Sequence, residues 1–321
     1  MDTILMMLSS EQYVSGERLS ETLGVTRAAV WKRIHALQDA GWPIESAGKR
    51  GYRLCDHDRL EPETWQHLLK TRVLGRGEVR YAQTLTSTND ELKRMAVSGA
   101  PHGSIALCEQ QTAGRGRLGR VWQSPAGCGL WQSVLARPDL PPAKAPTITF
   151  CAALAMCRTL RGFGMDARIK WPNDLVCGGK KLVGILLESA SDMDRIEYVV
   201  IGVGLNVLPG SVPPELTGQA ACAADFITPP KRRQILADYL LALEETLDAL
   251  QRGGWEALAE EYRRLCVTLG AHVRVSGAEE FTGIAEEMDD EGALLVRGDW
   301  DGILRRVMAG DVSVRGMMGY V

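Results

Sequence analysis

The stretch from Gln110 to Trp122, QQTAGRGRLGRVW, limits the possible folds of this chain more than any other. Its glycines Gly114, Gly116 and Gly119 have the G-x-G-x-x-G spacing of a dinucleotide-binding turn. That turn requires a helix to open directly afterwards, with the cofactor's pyrophosphate at its N-terminus. Here the chain continues VWQSPAGCG, which opens no helix, so a dinucleotide fold is rejected. What remains is a loop in which glycine alternates with Arg115, Arg117 and Arg120. Glycine lets backbone approach a ligand, and arginine offers a planar fork of donors to carboxylate or phosphate. The bland reading is a solvated basic loop. Three arginines on a glycine-loosened frame beside Trp122, which can stack on a nucleobase, favour an anion site.

The sequence around the loop reads as an α/β domain. Ser104 to Gln110 and Leu130 to Ala136 are strand-like, and Pro146 to Phe163 suits a buried helix. Ala167 to Trp171, Lys181 to Glu188 and Glu197 to Val207 carry the Ile and Val runs of a sheet covered by helices. Lys231 to Gln251 and Trp255 to Leu269 read as helical. Ser87, Thr88 and Asn89 precede an amphipathic helix, where plain N-capping would explain them. Lys170 ends an apolar strand, and Trp171-Pro172-Asn173-Asp174 then forces a tight, rigid turn. A lysine presented so stiffly is a candidate phosphate or carboxylate ligand. Gly184, Gly202 and Gly204 interrupt bulky strands, which marks either a bulge or the close approach of a ligand or another backbone. Asn206 is a polar residue in an apolar run, where an unpaired amide is costly.

The first 56 residues follow a different pattern. Ser15 is an N-cap candidate, Leu19 and Leu23 share a helical face, and Gly24 supplies a left-handed stop. Thr26 caps a second helix with Val30, Ile34 and Leu37 at helical spacing. Two short helices joined through a glycine turn form a helix-turn-helix. Ile44 to Leu54 then suits a β-hairpin wing with a Gly-Lys-Arg-Gly tip. Residues 26–54 hold six basic residues (Arg27, Lys32, Arg33, Lys49, Arg50, Arg53) and two acidic ones (Asp39, Glu45). His35 is also expected on the exposed face. Thr26, Arg27, Lys32 and Arg33 would enter the major groove while Lys49 and Arg50 meet adjacent phosphates. A small helical domain with solvated charges is the alternative, but cap, turn and hairpin agree with one another.

With 321 residues, two or three domains are expected. We divide the chain into a winged helix-turn-helix at 1–56, a polar linker, an α/β (α+β) domain with a mixed sheet at 64–269, and a small β-barrel at 270–321. The barrel is read from alternating strands in AHVRVSG, EEFTGIAEE, GALLVRG and GILRRVMAGDVSVR. A net charge of −3 is no global nucleic-acid signature, so any DNA-binding face is local. The eight cysteines show no Cys-x-x-Cys pair, which argues for buried free thiols and against a metal site. No signal peptide or membrane-spanning run is apparent, so a cytoplasmic location is expected.

The order and rough spacing of Ser87-Thr88-Asn89, GRGRLGR-V-W, KWPND and IGVGLN resemble the biotin protein ligases over nearly the whole chain. The winged helix ahead of them resembles the bifunctional subgroup that joins ligase and biotin operon repressor. The GRGR loop and KWPND together are highly specific to this family. The resemblance implies that biotin and ATP, with Mg²⁺, give biotinyl-AMP, and that a lysine of a biotin carboxyl carrier protein then takes the biotin. It assigns Ser87, Thr88, Asn89, Gln111, Arg115, Gly116, Arg117, Lys170, Gly202 and Gly204 to biotin. Arg117, Arg120, Trp122, Lys170, Asn173, Asn206 and Arg315 fall to the nucleotide, with Asp311 nearby. Lys170 and Arg115 become the catalytic cations, and no resident metal site is expected. It further implies operator DNA as a partner and a homodimer when biotinyl-AMP is bound. A lipoate-type ligase and a ligand-sensing transcription factor without ligase activity remain the alternatives.

Overall fold

The computed structural model describes residues 3–8, 12–39, 42, 44–54, 58–277, 279–309 and 313–316; the side chains of Met6 and of 313–316 lie outside the description. Two units divide between His67 and Leu68.

In the first unit three helices, α1 (Thr3–Met7), α2 (Gly16–Leu23) and α3 (Arg27–Asp39), precede a hairpin of β1 (Ile44–Ser46) and β2 (Tyr52–Leu54). Ser15 caps α2 by accepting from the Arg18 N–H at 3.1 Å, and Gly24 ends it with φ 63°. Thr26 Oγ1 accepts from the Ala29 N–H at 3.2 Å and starts α3. Leu19, Val30 and Ile34 join Ile4, Leu5, Trp42 and Ile44 in one core. The hairpin pairs Ile44 with Leu54, and its tip, Gly48–Arg50, is a single 3-10 turn. Thr26, Arg27, Lys32, Arg33, Lys49 and Arg50 are all exposed. His35, expected to be exposed, is half-buried, with its ring centroid 3.9 Å from that of Trp31. Trp31 itself, passed over in the sequence, is 55% exposed on α3. Pro62 and Glu63, read as the end of a linker, are instead the first residues of the short helix α4 (Pro62–Trp65).

The second unit is built on β3 (Val79–Leu85), α5 (Thr88–Val97), β4 (Ile105–Gln111), β5 (Gly129–Ala136), α6 (Ala145–Gly162), β6 (Arg168–Lys170), β7 (Asp174–Cys177), β8 (Lys180–Ser191) and β9 (Ile196–Asn206). The strands form a seven-stranded mixed sheet in the order β3-β4-β5-β9-β8-β7-β6. Only β3 and β4 are parallel, joined by the crossover helix α5. Because side chains alternate across a strand, β9 serves two faces. Val200 packs with Leu92 and Ala96 of α5, and Gly202 and Gly204 follow on that side. Val199, Ile201, Val203 and Leu205 are buried on the other, where α6 lies against the sheet.

Helices α7 (Arg232–Gly253) and α8 (Glu256–Leu265) follow. The sequence extends the last helix to Leu269, but it stops at Leu265. Cys266 bridges Ile169, and Thr268 Oγ1 accepts the Trp171 N–H at 3.0 Å, so this segment braces the strand carrying Lys170. The C-terminal strands β10 (His272–Ser276), β11 (Phe281–Met288), β12 (Leu294–Gly298), β13 (Leu304–Val307) and β14 (Ser313–Gly316) form an antiparallel five-stranded sheet in the order β13-β12-β11-β10-β14. Its outermost strands do not pair among the described residues. The cysteines other than Cys55, which lies outside the described residues, are free and buried, and burial pushes the thiols of Cys108, Cys151 and Cys157 up to about 12. No helix among the described residues is long and apolar enough to cross a membrane.

Candidate active site

One cavity of about 660 Å³ opens between the N-terminus of α5, the loop after β4, the turn between β6 and β7, and the glycines of β8 and β9. Ser87, Thr88, Asn89, Gln111, Arg115, Gly116, Arg117, Arg120, Trp122, Lys170, Asn173, Gly202 and Gly204 all line it. Residues spread over 118 positions of sequence, from Ser87 to Gly204, therefore meet at one site.

Ser87 is the N-cap of α5, which fixes the direction of the segment behind it. The Thr88 N–H donates to Gln111 Oε1 at 2.9 Å, and Gln111 Nε2 donates to Ser124 Oγ at 2.8 Å. Asn89 is only 4% exposed. Its Nδ2 donates to Glu188 Oε2 at 2.7 Å, and its Oδ1 accepts from Ser133 Oγ at 2.6 Å. Asn89 and Gln111 thus orient the pocket floor with the same amides that the family resemblance assigns to biotin.

The strand glycines make room for side chains. A Cβ on Gly202 would fall 2.1 Å from Asn89 Oδ1. Gly184 and Gly204, directly paired across β8 and β9, seat the Trp122 indole: Cβ atoms there would lie 2.7 Å and 2.4 Å from its ring atoms. The indole also meets Trp131 edge-on at 6.4 Å, and Lys181 Nζ lies 5.2 Å from its centre. Lys181 pairs with Asp174 at 2.7 Å. From the sequence Lys181 has no role and Asp174 only a place in the turn. Only the fold brings Lys181 to the ring and Asp174 to Lys181.

Between Gly114 and Trp122 the loop is a small hairpin. The Gly116 N–H donates to the Arg120 carbonyl at 2.7 Å, and the Trp122 N–H to that of Gly114 at 2.9 Å. Arg115 forms a bidentate pair with Asp90 at 2.7 and 2.6 Å. Arg117 reaches Asn173 Oδ1 at 3.1 Å and the Ala309 carbonyl, joining the loop to the turn after Lys170 and to the C-terminal segment. The hydrogen bonds from Arg115 lower the Asp90 carboxyl to about 2, so it is ionised throughout the neutral range.

Lys170 is 5% exposed and ends β6 immediately before the cis Trp171–Pro172 bond. Trp171 Nε1 donates to the Gly292 carbonyl at 3.0 Å, and Asn173 Nδ2 to that of Ile185 at 2.8 Å, which holds the turn from both sides. Asn206, expected at the nucleotide, is not among the lining residues. It is buried behind the wall, with Nδ2 donating to the Ala221 carbonyl at 3.2 Å beside the lining residue Ala220. The side chain of Arg315 and all of Asp311 lie outside the described residues.

Comparison with known proteins matches three segments of the chain. The biotin/lipoate A/B protein ligase family matches residues 81–206, an HTH domain 1–53, and the biotin protein ligase C terminal domain 268–315. The bifunctional ligase/repressor BirA of Bacillus subtilis is 34% identical over 97% of this chain and 96% of its own, and that of Escherichia coli 32% identical over 97% and 96%. A biotin protein ligase from Aquifex aeolicus, solved in complex with biotin and ATP, shares the fold at a TM-score of 0.65, with 24% identity over 74% of this chain and 99% of its own. With its helix-turn-helix ahead of a ligase domain and its likeness to these relatives end to end, the chain belongs to the bifunctional ligase/repressor family of biotin protein ligases.

Proposed function

We propose that the cavity binds biotin and ATP side by side and joins them as biotinyl-AMP. Biotin lies over Ser87, Thr88, Asn89, Gln111, Gly202 and Gly204 beneath the loop Arg115-Gly116-Arg117. ATP lies against Arg117, Arg120, Trp122, Lys170 and Asn173, with its base on the indole; Asn206 supports that wall from behind, and Arg315 is assigned to the nucleotide with them. The buried ammonium of Lys170, on the wall of the same cavity as three loop arginines, carries this reading. A carboxylate attacking a phosphate brings two anions together, and fixed cations in a water-poor site are the main device that lowers such a barrier. The biotin carboxylate oxygen bonds to the α-phosphorus, and pyrophosphate leaves. The amine of a lysine on a biotin carboxyl carrier protein then attacks the anhydride carbonyl, releasing AMP.

Magnesium enters with the nucleotide. Among the described residues no group of three or more His, Cys, Asp or Glu side chains could hold a metal, and the cavity's Asp174 is committed to Lys181. The reaction is assigned to the cytoplasm, where ATP, carrier and operator DNA coexist. Loading is read directly by mass. Protein incubated with biotin and Mg-ATP should retain one biotinyl-AMP, and added carrier should discharge it as a single biotin adduct. An empty protein and an unmodified carrier would refute the assignment.

We further propose that biotinyl-AMP orders the loop, favours a homodimer through the open sheet edge at β3, and so tightens operator binding by pairing two winged helices. Sedimentation with and without biotinyl-AMP tests the dimer; a monomer in both conditions would contradict it. Arg27, Lys32, Arg33, Lys49 and Arg50, with Thr26, form the DNA face. Arg50→Ala should lower the slope of log affinity against log salt by ~0.9 for each phosphate that Arg50 neutralises. An unchanged slope in an operator titration would remove Arg50 from the phosphate backbone.

A further inference from the structure

We infer that Asp90 is a positioning residue for the ligase reaction: its carboxylate holds Arg115 and the loop hairpin in place, so that the adenylate stays enclosed until the carrier arrives. The inference rests on the proposed role of Arg115 at the ligand.

The hairpin does not favour its own shape. Leu118 at its tip has φ 55°, a conformation that side chains larger than glycine rarely adopt. Arg115, Arg117 and Arg120 repel one another and face Lys170 and Lys181 on the same cavity wall. External contacts must therefore hold the loop. Arg117 is fixed by Asn173 and the Ala309 carbonyl, and Arg115 is held from the opposite side by both carboxylate oxygens of Asp90. Bidentate arginine–carboxylate pairs are the geometrically strict kind, so this one sets the direction of the loop as well as its charge.

Asp90 is itself well placed to transmit position. It is the third residue of α5, and its N–H points to Ser87 Oγ at 3.4 Å. Lys93 Nζ lies 3.0 Å from its carboxylate and 2.6 Å from Glu188, which in turn takes Asn89 Nδ2. One turn of helix therefore aligns the pocket floor (Thr88 and Asn89) with the arginine that covers it. The ionisation of Asp90 across the neutral range keeps this link in place under working conditions.

The test is release of a preformed adenylate. Full-length protein is loaded with labelled biotin and Mg-ATP in the absence of carrier and freed of excess ligand. Dissociation is followed together with label appearing on a bystander such as serum albumin. Asp90→Asn, nearly isosteric, should release biotinyl-AMP at least ~10-fold faster and label the bystander accordingly, and Asp90→Glu should recover most of the retention. In an Arg115→Gln background Asp90→Asn should add less than ~2-fold, because no guanidinium is left to hold. Parent-like retention by Asp90→Asn, or an equal loss in both backgrounds, would overturn the inference. Retention by Arg115→Gln itself would instead overturn the ligand role of Arg115 on which it rests.

Discussion

Replacing Lys170 by alanine should slow biotinyl-AMP formation by ~10²–10³-fold or more, in line with the loss of one fixed electrostatic group at a reaction centre. Lys170 is 5% exposed, where solvent screens little of a cation's field. Its strand end is held independently of its charge, by the Thr268 hydroxyl on the Trp171 N–H and by the Trp171 indole on Gly292. The fold should therefore survive, and a thermal melt should stay cooperative. Arginine is not expected to substitute, because its longer planar fork cannot occupy a point-charge position against a packed wall. Single-turnover adenylate formation checks the rate. A folded Lys170→Ala protein with near-parent turnover would remove Lys170 from the chemistry.

The second large effect is expected from one methyl group. Gly202→Ala places a Cβ 2.1 Å from Asn89 Oδ1, so the amide must move. It cannot move cheaply, because it is buried and bonded to Ser133 and to the carboxylate of Glu188. Disrupting one neutral and one charged hydrogen bond costs ~2–4 kcal/mol together. Borne by the biotin-binding arrangement, that cost should lower the affinity for biotin by ~30- to 700-fold, at a factor of ten per ~1.4 kcal/mol. Gly184→Ala meets Trp122 instead, with a Cβ 2.7 Å from its ring, and should act mainly on ATP, raising its KM while sparing biotin. Isothermal titration with each ligand separates the two. Equal losses for both ligands in both variants would contradict the division of the cavity.

The sequence made the local devices legible. Ser15, Gly24 and Thr26 act through the residues next to them, so their capping roles are visible in order of the chain. The rejection of a dinucleotide fold also holds locally: Arg117–Gly119 is a single 3-10 turn that leads into no helix. Lys170 and the loop arginines were readable because stiff or glycine-rich neighbours announce them. What stayed hidden depends on strands brought together from far apart. Asp90 follows Ser87-Thr88-Asn89 directly, yet its partner Arg115 is reached only because β3 and β4 run parallel and bring the start of α5 beside the end of β4. The glycines at 184 and 204 show as weak points in strands, but that they form a seat for Trp122 depends on their cross-strand register. Asn206 shows in the sequence as a polar residue in an apolar run that needs a partner, and that its Nδ2 donates to the Ala221 backbone emerges only from the fold. The last helix was extended too far because the bridge from Cys266 to Ile169 has no signature in its own segment.

The most direct test is ATP–pyrophosphate exchange on the purified full-length protein, run with Mg-ATP and labelled pyrophosphate in the presence of biotin, of lipoate, or of neither. The loop and Lys170 around one cavity predict label entering ATP only when biotin is present, and its loss in Lys170→Ala. Exchange supported equally by lipoate, or no exchange with biotin in a protein that binds it, would contradict the assignment of this cavity to biotin adenylation.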